Sequence, residues 1–366
     1  MPDRPLSVLH LTAGSDAGGL SRYIHNICSA MHAQGHQVAV AGERGAWHWL
    51  FENAPFPWIE VPFKGGPIDL YRASRTMKLW MREHQVDVIH NHYRRPGWVA
   101  RRLQKDHRPP ILYTLHLSHI SLKWPWRYFS DFGDHTHVAS GEARDWLINE
   151  GRVDPNRITL IPHGIDPALF PFTDDAGKFA AKQRLGFTAF DTIALYVGRL
   201  DYPKNCEWLV DLADITRAKI PRLRVLLVGE GPDEAALKQR IADKGLHERV
   251  FLMGHRDPLP YYQAADGLLL PSLREGFSFV CAEAMAVGVP VLRTRTSGTK
   301  ELIIENVTGR STEIDRAMFL AGAVDFLSDV PKLRLMGQAA AGHVRENFTF
   351  EKQLAQTIEL YRRLSG

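Results

Sequence analysis

Short apolar runs alternate with longer amphipathic stretches along nearly the whole chain, and the alternation occurs in two series. The first has apolar runs at 7–12, 37–41, 86–90, 111–115 and 137–139, with helical periodicity at 20–34, 70–84, 97–105 and 142–150. The second has apolar runs at 193–197, 223–228, 249–253, 267–270 and 289–292, with helical patterns at 206–220, 232–244, 259–264 and 279–286. Strand, helix, strand in succession implies parallel sheets with helices on both faces, because a parallel crossover needs a connection of helix length. A chain of 366 residues is too long for one ordinary core. The expectation is therefore α/β, with two Rossmann-like domains facing each other across an interdomain cleft. They divide near the aperiodic stretch 162–172, which is rich in Pro and Gly. Further helical patterns follow at 316–327, 331–346 and 350–364.

Composition narrows the function. The charge balance, 45 − 41 = +4, is too small for a dedicated nucleic-acid binder. Cys28, Cys206 and Cys281 are widely spaced, show no metal-ligand pattern and fit a reducing compartment. No apolar run approaches the ~20 residues a membrane span needs. The N-terminus passes from Pro2 and Pro5 directly into the first apolar run, without a secretory signal. These features predict a cytoplasmic protein, at most peripheral on the inner face of a membrane. One stretch, 72–129, suggests an anionic membrane surface as a partner. It carries Arg72, Arg75, Lys78, Arg82, Arg94, Arg95, Arg101, Arg102, Lys105 and Arg108, then Trp124, Trp126 and Tyr128 alternating with cations.

The densest chemistry lies between 268 and 291. An apolar strand end leads into a loop carrying Glu275 and Gly276, and a helix pattern begins at Phe279 and stops at Gly288 and Pro290. This arrangement places the backbone N–H groups of Phe277, Ser278 and Phe279 at a helix N-terminus, which favours an anion. Glu275 precedes that terminus and Glu283 lies about one turn inside it, facing the same crevice. Two acceptors flanking an anion site suit a ligand with hydroxyls on both sides of a phosphate, as in a nucleotide sugar. A second glycine-rich turn holds Gly18 and Gly19 between a strand and a helix, where missing Cβ atoms let a phosphate approach the backbone. A dehydrogenase reading fails here, because Gly14, Gly18 and Gly19 do not have the spacing of a dinucleotide fingerprint. His90 and His92 alternate at a strand end with metal-like spacing. No third ligand is evident, so a zinc site is not expected.

Glu275-x7-Glu283 followed by Ala284-Met285-Ala286-x-Gly288-x-Pro290-Val291 resembles family 4 of the retaining GT-B glycosyltransferases. Gly198-Arg199-Leu200 with Lys204 resembles a second family motif, Asn205 standing where glycine is usual, and Gly18-Gly19-x-Ser21-Arg22 a third. Further matching segments cover nearly the whole chain. The resemblance implies a first domain, 1–168, binding the acceptor, and a second, 169–346, binding the donor. A last helix, 347–366, would cross back to the first domain. It implies transfer of a hexose from a UDP- or GDP-sugar to a saccharide or lipid-linked hydroxyl with retained configuration, in polysaccharide, lipopolysaccharide or glycolipid synthesis.

Site roles follow by the same resemblance. Arg199 and Lys204 would reach the diphosphate, whose charge grows as the glycosidic bond breaks. Glu275 would hold sugar hydroxyls and Glu283 the ribose. Gly254, His255 and Arg256 would lie near the base, and His116 near the reacting carbon. His163, where family members commonly have Asn, reads as hinge structure. There is no Asp-x-Asp pair to hold a divalent ion, so no metal or other cofactor is expected. Two other classes compete. A nucleotide-sugar epimerase of the same fold would turn over donor without acceptor. A non-catalytic nucleotide-sugar-binding protein would carry a broken donor motif.

Overall fold

The computed structural model describes residues 4–16, 18–124 and 126–366. Pro2, Ala17 of the first glycine turn and Pro125 of the aromatic stretch lie outside the described residues. The chain forms two compact units, one of Met1–Pro162 with Lys352–Gly366, the other of His163–Glu351. They divide after Pro162 rather than at 168, and the returning segment starts at Lys352 rather than 347.

The first unit runs β1 (Ser7–Gly14), α1 (Gly19–Ala33), β2 (Gln37–Glu43), α2 (Trp49–Glu52), β3 (Trp58–Glu60), α3 (Pro67–Glu83) and β4 (Val88–Asn91). It continues through α4 (Arg94–His107), β5 (Ile111–Leu115), α5 (Trp126–Phe129), β6 (His135–Val138), α6 (Gly141–Asn149) and β7 (Ile158–Leu160). Its sheet has the order β3-β2-β1-β4-β5-β6-β7, with every pairing parallel. Leu9, Leu11, Ala39, Ala41, Ile89 and Ile111 from its strands pack with Ala73, Met77, Val99 and Leu103 from α3 and α4.

The second unit contains α7 (Asp175–Arg184), β8 (Thr192–Val197), α8 (Glu207–Ile215), β9 (Leu223–Val228), α9 (Glu234–Asp243), β10 (Val250–Gly254), α10 (Leu259–Ala264) and β11 (Gly267–Leu270). Then come α11 (Phe279–Val287), β12 (Val291–Thr294), α12 (Thr299–Leu302), β13 (Gly309–Thr312), α13 (Arg316–Leu327) and α14 (Val330–Asn347). Helix α15 (Phe350–Ser365) closes the chain. This sheet reads β10-β9-β8-β11-β12-β13, again wholly parallel. In both sheets the strand order reverses beside the first strand, between β1 and β4 and between β8 and β11. Such a reversal sends neighbouring loops to opposite faces and opens a crevice at the carboxyl ends of the strands.

Three strands were not evident in the sequence: β3, β7 and β13. Each has three or four residues, and β3, β7 and β13 are sheet edges, too short to show a period. Helix α7 also went unseen, for a different reason. Its buried face carries Lys178 and Lys182 instead of an apolar stripe. Lys182 Nζ donates to Asp266 Oδ2 at 2.7 Å and to the Asp191 carbonyl at 2.7 Å, so the lysines are held inside by partners rather than expelled. The helix expected over 206–220 ends at Ile215.

Candidate active site

The switch point of the second sheet gathers four of the expected residues on two adjacent strands. β8 and β11 pair directly, Ala194 with Gly267 and Leu195 with Leu268, so the loops after them leave side by side. The β8 loop carries Arg199 and Lys204, and the β11 loop carries Glu275 and Gly276. Lys204 Nζ donates to Glu275 Oε1 at 2.6 Å, and Ser272 Oγ donates to the same oxygen at 2.7 Å. Both members of the pair are partly open to solvent, at 22% and 15% side-chain exposure. A phosphate can therefore compete for the ammonium while sugar hydroxyls compete for the carboxylate. Arg199 is 68% exposed and pairs with Asp201, Nη2 to Oδ2 at 2.7 Å.

Local structure explains why these groups sit where they do. Lys204 N donates to Asp201 O at 2.7 Å, closing a turn, and Asn205 follows with φ 51°. Asparagine tolerates this left-handed conformation, which accounts for its standing where glycine is usual. Its side-chain amide also donates to the Pro271 carbonyl at 2.8 Å, and Leu273 N donates to the Pro203 carbonyl at 2.8 Å. The two loops are thus laced together directly beneath the Lys204–Glu275 pair.

Helix α11 is buried on all sides from Cys281 to Val287, as expected of a helix with no polar face. Ser278 caps it, accepting from Cys281 N, and its first turn contains no acidic residue. The terminus is thus free of an internal carboxylate that would neutralise it. Phe277 is buried, 5.5 Å from the ring of His163, and Phe279 stacks on His163 at 5.2 Å. These rings fix the approach of the loop. His163 belongs to this packing, in line with a structural role. Glu283 is 3% exposed and accepts from the Tyr262 hydroxyl of α10 through Oε2 at 2.8 Å.

At the ends of β9 and β10, Gly229 N donates to Gly254 O at 2.8 Å. A Cβ at Gly229 would lie 1.9 Å from the Gly198 carbonyl oxygen, so only glycine lets the β8 and β9 loops approach this closely. His255 N donates to Glu230 Oε1 at 3.2 Å, and Arg256 Nε to the Met253 carbonyl at 3.4 Å; both side chains are exposed.

Arg293 escaped the sequence reading. It is fully buried at the β12 end, where Nη2 donates to Thr296 Oγ1 at 2.6 Å and to the Ser297 carbonyl at 3.1 Å. It thereby shapes the turn to Gly298, at φ 76°, which packs on Gly276 and Phe277. An arginine among strand residues carries no local mark of burial, so pattern alone could not find it.

The first sheet has a different switch point. Gly18 precedes α1, which begins at Gly19 without any side-chain cap or acidic residue. Around β1 and β4 the side chains are imidazoles. His10 pairs with His90 in the β1–β4 register, and His92 follows on the same face. The expectation that His90 and His92 lack a third neighbour is overturned: nitrogens of His10, His90 and His92 lie within 4.8 Å of one another. His92 Nδ1 lies 3.0 Å from Nε2 of His116, which is half-buried after β5. Burial, then His137, pushes His116 down to about 3, and burial brings His10 to about 3. Both rings are neutral at ordinary pH.

Residues 17–169 match the family described as Glycosyltransferase Family 4, and residues 178–342 the family described as Glycosyl transferases group 1. The D-inositol 3-phosphate glycosyltransferase of Pseudarthrobacter chlorophenolicus is 27% identical over 400 residues, covering 97% of this chain and 92% of its own. The N-acetyl-alpha-D-glucosaminyl L-malate synthase of Bacillus anthracis is 29% identical over 311 residues, covering 82% of this chain and 80% of its own. Among solved structures, Anabaena HepE in complex with UDP superposes with a TM-score of 0.85 at 21% identity, over 98% of this chain and 100% of that one. The chain belongs to the family 4 glycosyltransferases and has their GT-B fold.

Proposed function

We propose that the protein transfers a hexosyl group from a UDP- or GDP-sugar to a hydroxyl of a saccharide or lipid-linked acceptor, with retention at the anomeric carbon and no divalent ion. The observation that carries this reading is the Lys204–Glu275 pair at the switch point of the second sheet, with Glu275 on the loop that leads into α11, whose first turn holds no acidic residue. Lys204 and Arg199 hold the diphosphate, helped by the α11 amides, and stabilise the charge that grows on it as the bond to the sugar breaks. Glu275 holds sugar hydroxyls. Glu283 holds the ribose, one oxygen being shared with Tyr262. Gly254, His255 and Arg256 border the base, and His116 contacts the sugar. The acceptor oxygen forms its bond to the anomeric carbon on the face the diphosphate leaves, and a leaving phosphate oxygen takes the acceptor's proton. No enzyme nucleophile is needed, and the cations do the work a metal would do elsewhere.

The UDP held by HepE favours a uridine donor. Two relatives, named for D-inositol 3-phosphate and L-malate, favour a hydroxyl-bearing acceptor, and the pathway proposed for the transfer is bacterial polysaccharide, lipopolysaccharide or glycolipid assembly. A peripheral membrane role is supported by exposed Trp124, Trp126, Tyr128 and Phe129, with Arg94 of α4 lying over the Trp126 ring. Part of the basic stretch is already paired: Arg101 with Asp131 and Asp134, Lys78 with Asp106. Among the described residues, no helix is long and apolar enough to cross a membrane.

The test is release of nucleoside diphosphate from UDP- and GDP-sugars, with and without acceptor and with chelator. Release that needs acceptor and survives chelation is expected. Donor isomerisation without acceptor would point to an epimerase, and binding without turnover to a sensor. Retention on anionic liposomes at low salt tests the membrane surface.

A further inference from the structure

The buried histidines of the first unit form two hydrogen-bonded chains whose proton positions can be worked out. The first is anchored by a carbonyl. His137 Nε2 lies 2.8 Å from the Ile161 oxygen, which only accepts, so that nitrogen carries the proton. A neutral ring has one N–H, so His137 Nδ1 accepts from Thr114 Oγ1 at 2.9 Å. Thr114 in turn accepts from His90 Nε2 at 2.6 Å, and His90 Nδ1 accepts from the Tyr361 hydroxyl of α15 at 2.6 Å. Burial lowers His90 and His137, which keeps both rings neutral.

The second chain is His10 Nδ1 to His92 Nε2 at 3.0 Å and His92 Nδ1 to His116 Nε2 at 3.0 Å. It can run in either of two directions. If His116 were the donor, every proton would shift toward His10 and its Nε2 would carry an N–H. That nitrogen is fully buried and meets no partner among the described residues. A buried N–H without an acceptor is rarer and costlier than a bare lone pair without a donor. The chain therefore runs from His10 to His116. His10 and His92 carry their protons on Nδ1, His116 Nε2 is an acceptor, and the His116 proton is on Nδ1.

We propose that His10 and His92 are positioning residues that lock His116 as its neutral Nδ1–H tautomer, so that this ring serves sugar transfer as a hydrogen-bond donor and not as a base. The role of His116 in sugar transfer rests on the function proposed above; the tautomer does not. A metal ion on His10, His90 and His92 is the competing use of the cluster. It would break hydrogen bonds that occupy both nitrogens of His90 and of His92, and the group includes no carboxylate to offset a buried dication.

The experiment is ¹⁵N NMR of histidine-labelled full-length protein near pH 7.5, with zinc content measured on the same sample. Protonated Nδ1 is expected for His10, His92 and His116, and protonated Nε2 for His90 and His137. In His92→Phe, the Nε2–H form of His116 should rise, because its nitrogen has lost the donor that held it bare. Nε2–H at His116 in the unaltered protein would overturn the proposal. So would an unchanged His116 tautomer in a folded His92→Phe, or one equivalent of zinc that His10→Phe removes. The unaltered protein alone decides the direction, so a variant that fails to fold leaves the test intact. If the tautomers hold while no sugar is transferred, the transferase reading fails and the histidine chain stands.

Discussion

The two sheets share a strand order and a reversal beside the first strand, yet they fill that reversal with opposite chemistry. In the second unit the crevice edge carries full charges, Arg199, Lys204 and Glu275, that keep access to water. In the first unit the corresponding strands carry imidazoles that are buried and neutral. Exposed charges can exchange one partner for another when a charged ligand arrives. Buried neutral rings cannot, and each proton in them is fixed by its neighbour. The fold thus supplies the same position twice, and the side chains make one copy responsive and the other rigid.

The largest expected effect breaks the responsive copy. Lys204→Ala should lower turnover by about 10²–10³-fold, as loss of a group aimed at developing charge does. Unchanged sugar transfer would remove the charge argument. Arg199→Ala should cost less, about tenfold, because its guanidinium is mostly in solvent and its interactions are screened; kinetics at two salt concentrations would show it.

The rigid copy should fail with acid. The folded values of His10 and His116, about 3, lie below the usual ~6.5, so below that pH the unfolded chain binds protons the native state refuses. Stability is complete above about pH 6.5 and declines as pH falls from there toward about 3. Urea midpoints between pH 7.5 and 4 should trace this decline, and His10→Phe should flatten it. The smallest effect concerns the lacing of the two charged loops. Asn205→Ala should cost about 1–2 kcal/mol, through the strained φ and the lost bond to Pro271, and Asn205→Gly less. Chemical denaturation separates the two.

Much of this was legible in the sequence where local pattern decides. The runs at 111–115, 223–228 and 267–270 became β5, β9 and β11 with the same bounds, and 259–264 became α10. Lys204 and Glu275 were named from motifs, and their contact follows from β8 lying beside β11. What remained hidden depends on distant partners. Lys178 and Lys182 in α7 are held inside by Asp266, which lies just before the central strand β11 and far from α7 in sequence. His90 and His92 share a face by strand alternation, but His10 joins them only once β1 and β4 are known to pair. Arg293 is buried by a turn formed by residues after it.

The most direct measurement is calorimetric titration of the protein with UDP and GDP beside uridine and guanosine, repeated with Lys204→Ala. The account predicts that one diphosphate binds, that its nucleoside binds far more weakly, and that Lys204→Ala removes at least about tenfold of the diphosphate affinity while the nucleoside is unaffected. Equal binding of diphosphate and nucleoside, or a diphosphate affinity indifferent to Lys204, would contradict it.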